Sequence, residues 1–278
     1  MPLALGSVED GSANGFRTTQ SASLHLRERA SASASSRTLT TPMRRPYDSS
    51  SYKPGPLDGC ETARSRLQSG VMADSIDLPT VPFALSPSTA EIWRFDAPSG
   101  ALTVTAAPRT DIFTDPAGPS SAIESMLNAA TLLGLPPAGD FQLSARVTVD
   151  FAATFDAGVL LLWGDKDHWG KLCFEFSPAG EPMVVSVVTR GVSDDANAFA
   201  VTDRSIWLRV SRIDHTYAYH ASTDGNLWRM IRYFTINDDV EQHRIGFEGQ
   251  SPTGEGCAAS FDEIRFARDR LRDMRDGS

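Results

Sequence analysis

The chain has 278 residues, 41% of them hydrophobic, with 21 Gly and 17 Pro. That length admits one large domain or two small ones, and the Gly and Pro content suits a loop-rich β protein better than a helical one. The formal charge of −9 is uneven: residues 1–71 hold nine basic and six acidic side chains, a net of +3, which leaves −12 for the rest. So acidic a body lacks the clustered Lys and Arg that phosphate contacts need, and nucleic acid is not an expected partner. No apolar run approaches the roughly 18 residues that cross a bilayer as a helix, and no membrane partner is expected.

Residues 1–71 read as a disordered extension. "TTQSASLHLRERASASASSRTLTTPMRRP" is Ser, Ala, Thr and Arg with few large apolar side chains. Such a segment buries too little surface to offset its ordering entropy. From Phe16 to Pro46 there are six Arg and one acid, Glu28, which is also the composition of a mitochondrial transit peptide. Met72, opening "MADSIDLP", would equally be an ordinary start for the body. The three cysteines, Cys60, Cys173 and Cys257, have neither disulfide-framework nor zinc-site spacing. They read as buried reduced thiols, and the expected location is cytoplasmic, with mitochondrial as the alternative.

Residues 72–278 form the expected folded domain. "EIWRFDA" (91–97) and "ALTVTAA" (101–107) flank Pro98-Ser99-Gly100, giving strand, turn, strand. "SAIESMLNAATLL" has weak periodicity and is expected to form one short helix at most. "FQLSARVTVDF" (141–151) alternates apolar and polar residues, and "AGVLLLW" (157–163) is a continuous apolar run, as in a central strand covered on both faces. "WGKLCFEFS" and "SIWLRVSRI" alternate again, and four more such segments follow. About a dozen strands with short turns predict an antiparallel two-layer sandwich or jelly roll. The tail "ARDRLRDMRDGS" reads as a charged end with one frayed helical turn.

Period 2 sorts the strands into faces. Leu172, Phe174 and Phe176 take one face, and Lys171, Cys173 and Glu175 the other. Leu208 and Val210 point inward and Arg209 outward; Ile245 and Phe247 point inward, and Glu248 and Gln250 oppose them. Trp228, Met230, Arg232 and Phe234 share a face. Lys171, Glu175, Arg209, Arg232, Glu248 and Gln250 are therefore the candidates for one polar sheet face. Trp169 is expected at its edge, stacking on a ligand, and Ser251 beside Gln250 at its rim. "STDGNLW" (222–228) is a hairpin turn in which Gly225 supplies a positive φ.

In order, "RTDIFTDPAG", "HWGKLCFEF", "SVVTRGVSDD", "WLRVSR", "STDGNLW", "GFEGQSPTGEG" and "ASFDEI" resemble the DUF1349 family of concanavalin A-like proteins, over about residues 90–267. The resemblance implies an all-β, concanavalin A-like jelly-roll sandwich of two antiparallel sheets with a concave polar face. It implies little chemistry, since the family's activity is not established.

No catalytic residue is singled out. No single strand carries a paired-carboxylate run: Asp262 and Glu263 are adjacent and expected on opposite faces, although Glu175 and Glu248 can meet across strands. No G-x-S-x-G is present. His215 and His220 read as surface residues. Asp165 and Asp167 in "GDKDHWG", and Asp194 and Asp195 in "VSDDAN", read as loop aspartates; calcium is the alternative, and no metal or cofactor is expected. The reading is a non-catalytic, carbohydrate-binding-type sandwich with ligand residues Trp169, Lys171, Glu175, Arg209, Arg232, Glu248, Gln250 and Ser251. Its partner would be an oligosaccharide. A protein-interaction or regulatory module, and a glycan-acting hydrolase or lyase, stay open.

Overall fold

The computed structural model describes residues 75–89, 92–118, 121 and 125–278. The expectations for residues 1–71, Cys60 included, lie outside the described residues. The described residues form two antiparallel sheets of seven strands each, one small two-stranded sheet and a 3-10 turn at Val240–Gln242. The first sheet runs in the order β1 (Ser86–Pro87), β6 (Ala130–Gly134), β15 (Arg244–Gln250), β8 (Ala157–Asp165), β9 (His168–Phe176), β10 (Pro182–Arg190) and β11 (Val192–Ala200). The second runs β14 (Arg229–Phe234), β13 (Thr216–Ser222), β12 (Ser205–Ile213), β7 (Phe141–Asp150), β16 (Cys257–Ala267), β3 (Ala101–Ala106) and β2 (Trp93–Asp96). The small sheet pairs β4 (Ile112–Phe113) with β5 (Met126–Leu127).

The sequence pattern explains the layers. In β7, Phe141, Leu143, Ala145, Val147 and Val149 are buried and the residues between them are not, as a strand with one core face requires. Strand β8 lies between β15 and β9 and is buried on both faces from Ala157 to Leu162. Between the sheets, Leu160, Leu172, Phe174, Ile245 and Phe247 pack on Leu143, Val147, Leu208, Val210 and Phe261. The rings of Phe247 and Phe261 meet at 4.9 Å. Each such side chain contributes about 1.5–3 kcal/mol by leaving water.

Three expectations need correcting. The short helix at 121–133 is absent among the described residues: Met126–Leu127 and Ala130–Gly134 are strands, and β6 pairs with β15. Asp194 and Asp195 sit inside β11 rather than in a loop. His220 is fully buried. The C-terminal tail makes one uncontinued turn, closed by the Gly277 N–H on the Asp273 carbonyl at 2.9 Å, and lies against the outer face of the second sheet, where Leu271 and Met274 pack on Ile213 and Ala218. Cys173 and Cys257 are buried and free. Among the described residues no helix is long and apolar enough to cross a membrane.

Candidate functional site

The outward face of the first sheet holds a cluster of buried polar groups. Alternation in β9 sends Leu172 and Phe174 to the core and Trp169, Lys171, Cys173 and Glu175 to this face. In β15 it gives Ile245 and Phe247 to the core and Glu248 and Gln250 to this face. Between them, β8 contributes Ala157, Val159 and Leu161: Lys171 is opposite Leu161, and Glu248 is opposite Val159. Two polar strands thus flank an apolar one. The long Lys171 side chain spans that gap and donates from Nζ to Gln250 Oε1 at 2.8 Å and to Asp111 Oδ1 at 2.8 Å. Asp195 of β11 is opposite Val187 on the same face.

A strap covers the cluster. Thr110 exchanges backbone hydrogen bonds with Ser251 at the end of β15, at 3.2 and 3.3 Å. One residue on, Asp111 reaches Lys171. Ile112 packs among Val159, Leu161, Trp169, Cys173, Val185 and Val187. The Thr114 N–H then donates to Ser193 Oγ at 2.9 Å and the Thr114 carbonyl accepts the Ser193 N–H at 2.8 Å, near the start of β11. Residues 110–114 therefore cross the face from one side to the other, pinned at both ends and in the middle. Asn128 braces the strap, since its Oδ1 accepts the Asp111 N–H and its amide donates to the Arg109 carbonyl.

Under the strap, Lys171 is 2% exposed, Gln250 1%, and Trp169 and Glu248 0%. Neither oxygen of Glu248 has a hydrogen-bond partner among the described residues, and nor does Trp169 Nε1. Buried polar atoms nearly always find one, so three orphaned atoms on one face are a departure from the rule. Burial pushes the Glu248 carboxyl up to about 8 against the opposing pull of Lys171, and does the same to Glu175. Burial also raises Asp195 and holds the Cys173 thiol well above its usual range. Burial opposes the Lys171 charge, but Asp111 and Glu248 outweigh it and the ammonium is held above its ordinary value.

Of the eight candidates, Trp169, Lys171, Glu175, Glu248 and Gln250 come together on this face. Trp169 is not at an edge: it lies opposite Trp163 and Thr189, inside the sheet. Ser251 is buried at the end of β15 and donates to Asp156 Oδ1 at 2.6 Å, bracing the 251–256 turn. Arg209 points outward as its alternation predicts, but β12 belongs to the second sheet, so it faces the other side of the molecule. Arg232 is displaced by a bulge: Tyr219 pairs with Arg232 but His220 pairs with Met230. The extra residue, Ile231, breaks the period of two, and Arg232 joins Tyr219 on the inner side. There its Nε donates to Ser186 Oγ of β10 at 3.1 Å, tying the sheets together. A second bulge, with Glu263 at φ 48°, brings Asp262 and Glu263 to one guanidinium, Arg146, at 2.7 and 3.3 Å. Asp111 and Asp195 were not singled out as site residues; nothing local marks Asp111, whose partner is sixty positions away.

A cleft of about 370 Å³ opens elsewhere, between Val149, Phe151, Pro182 and Arg204, and includes none of these residues.

Two antiparallel sheets with a polar, covered outer face define a β-sandwich of the jelly-roll type. The chain belongs to the DUF1349 family, described as a protein of unknown function, whose model matches residues 89–269. Among solved structures, it is similar to a functionally unknown protein from Saccharomyces cerevisiae, at 21% identity and a TM-score of 0.57, over 70% of this chain and 100% of that one. It is also similar to the GH43 protein BlXynB from Bacillus licheniformis, at 11% identity and 0.53, over 67% of this chain and 37% of that one. A third is a GH43 glycoside hydrolase engineered to display both endo-xylanase and exo-arabinofuranosidase activity, at 15% and 0.51, over 77% and 44%. The chain thus spans less than half of either GH43 protein. At these identities the likeness shows the fold alone. No curated protein matches the chain.

Proposed function

We propose that the strapped face of the first sheet binds a saccharide without cleaving it. The observation that carries this reading is the orphaned pair on one face: the Glu248 carboxyl, with neither oxygen bonded, and the Trp169 indole N–H. Sugar hydroxyls donate and accept at once, so one ring serves both kinds of group. Lys171 and Gln250 stand beside them with their positions already fixed by their mutual bond, and such preorganisation reduces the cost of binding. Ligand entry requires the 110–114 strap to lift, which breaks the Lys171–Asp111 contact. The xylanase and arabinofuranosidase activities of a similar structure supply the first probes, xylo- and arabino-oligosaccharides.

The test is isothermal titration of the protein with those oligosaccharides and with a gluco-oligosaccharide panel, for the natural chain and for Glu248→Gln and Trp169→Phe. Binding lost in both variants supports the site. A folded protein that binds none of the sugars removes the reading. The two carboxyls held near 8, Glu175 and Glu248, are placed to give or take a proton at neutral pH. Turnover of a bound sugar, abolished by Glu175→Gln, would make the site hydrolytic instead.

A further inference from the structure

The outer face of the second sheet holds a buried guanidinium with no carboxylate partner among the described residues. Arg209 of β12 is 7% exposed, and His220, its cross-strand partner on β13, is 0% exposed. The Arg209 guanidinium stacks on Trp228 with 4.2 Å between its central carbon and the ring centroid. Its Nη2 donates to the Gly277 carbonyl at 2.6 Å, while its Nε has no partner. His220 Nε2 donates to the Met274 carbonyl at 2.8 Å. Residues 271–277 close over these groups: Leu271 packs on Ile213 and Ala218, and the loop is held by a bond from the Gly277 N–H to the Asp273 carbonyl at 2.9 Å.

Gly277 fills the slot completely. It has φ 77°, and a Cβ there would stand 2.5 Å from Arg209 Nη2, 2.7 Å from Trp228 Cβ and 3.2 Å from the His220 ring. The guanidinium and imidazole donors therefore converge on one small volume, now taken by two neutral carbonyl oxygens. A buried charge is costly unless a counter-charge meets it, and carbonyl dipoles answer only part of that need. Asp276, in the tail itself, acts on His220, whereas only burial acts on the Arg209 guanidinium.

From this geometry we infer that Arg209, His220 and Trp228 form an oxyanion-binding slot, and that residues 271–277 occupy it as an internal strap which the anion displaces. Phosphate and carboxylate share the chemistry it recognises: planar or tetrahedral oxygens that accept from a guanidinium fork and an imidazole N–H. The slot is on the opposite side of the sandwich from the saccharide face, so the two readings stand or fall separately.

The test is titration of the full chain with inorganic phosphate and, separately, with acetate. Two variants loosen the strap from different ends: Gly277→Val crowds the slot's occupant, and Leu271→Ala removes the tail's apolar anchor without touching the slot. An occupied slot lowers apparent affinity by the fraction of chains in which it is closed, so both variants are expected to bind the anion about tenfold more tightly than the natural chain. Adding Arg209→Gln to either variant should abolish binding. Phosphate binding alone would mark a phosphorylated ligand, and acetate binding alone a carboxylate; either supports the slot. If Gly277→Val and Leu271→Ala keep the natural circular dichroism yet bind neither anion, or bind equally with Arg209→Gln, the inference is overturned. Should Gly277→Val fail to fold, Leu271→Ala decides it.

Discussion

Lys171 Nζ and Asp111 Oδ1 stand 2.8 Å apart although sixty positions separate them in the chain, and their contact ties the middle of a sheet to the strap that crosses it. Both side chains are largely withdrawn from water, at 3% and 14% exposure. Removing one partner of such a pair leaves a buried charge unanswered. Asp111→Ala is expected to cost about 3 kcal/mol at pH 7, read as a fall in the urea midpoint. Asp111 also helps to raise the Glu248 carboxyl, so the same variant should let Glu248 ionise at lower pH and take over as the counter-charge. A loss well below about 1 kcal/mol, the usual worth of an exposed pair, would show that the strap is not anchored there.

Glu248 sets a pH dependence with a definite sign. Burial holds its carboxyl at about 8 in the folded chain, against an ordinary value of 4.5. Between those values the folded state carries a proton that the unfolded state has lost. Stability from this group is therefore complete below about 4.5 and is lost as pH rises through 8, at up to about 1.4 kcal/mol per pH unit. Glu248→Gln keeps the shape and removes the titration. Its melting temperature should match the natural chain's at pH 4.5 and exceed it at pH 8.5. Parallel curves across that range would mean that Glu248 is ionised in the folded protein.

The strand pattern was legible because alternation is local. Leu172 and Phe174 against Lys171 and Glu175, and Ile245 and Phe247 against Glu248 and Gln250, fell on the faces that period 2 assigns them. Which strands share a sheet is not local. Arg209 has the correct orientation on the wrong sheet. Arg232 is moved by a bulge at Ile231 that no composition signal announces. Asp111 is invisible for the same reason: a strap that crosses the face does so through contacts with Ser251, Lys171 and Ser193, none of them its neighbours in sequence.

His220 opposes Glu248 in the acid range. Burial pushes its imidazole down to about 4 from 6.5, so the folded chain keeps it neutral where the unfolded chain protonates it. Its contribution is present above about 6.5 and is lost as pH falls toward 4. A glutamine there keeps an N–H for the Met274 carbonyl but does not titrate. His220→Gln should therefore lose less stability than the natural chain between pH 6.5 and 4, in urea titrations at each pH. Equal losses would place the acid sensitivity elsewhere, with His243 the next candidate, since burial lowers it too.

The 222–228 hairpin serves Trp207 as well as Trp228. Asp224 Oδ1 accepts the N–H groups of Asn226 and Leu227, each at 2.8 Å, and the Ser222 hydroxyl at 2.9 Å, which closes the turn. Gly225, at φ 73°, lies against the Trp207 indole, and a Cβ there would come within 3.1 Å of that ring. Trp207 is itself held by its N–H bond to Glu263 Oε2 at 3.1 Å and by Arg146 over its face. Gly225→Ala therefore meets two costs, a left-handed backbone worth about 1–2 kcal/mol for a residue with a Cβ and a shove against a ring that cannot easily move. Asp224→Ala should also lower the melting temperature by opening the turn. Tryptophan fluorescence separates the two: Gly225→Ala should shift the emission by moving Trp207, and the shift should disappear in a Trp207→Phe background. If it persists there, Trp228 is the ring that moves, and the hairpin's main partner is Arg209 rather than Trp207.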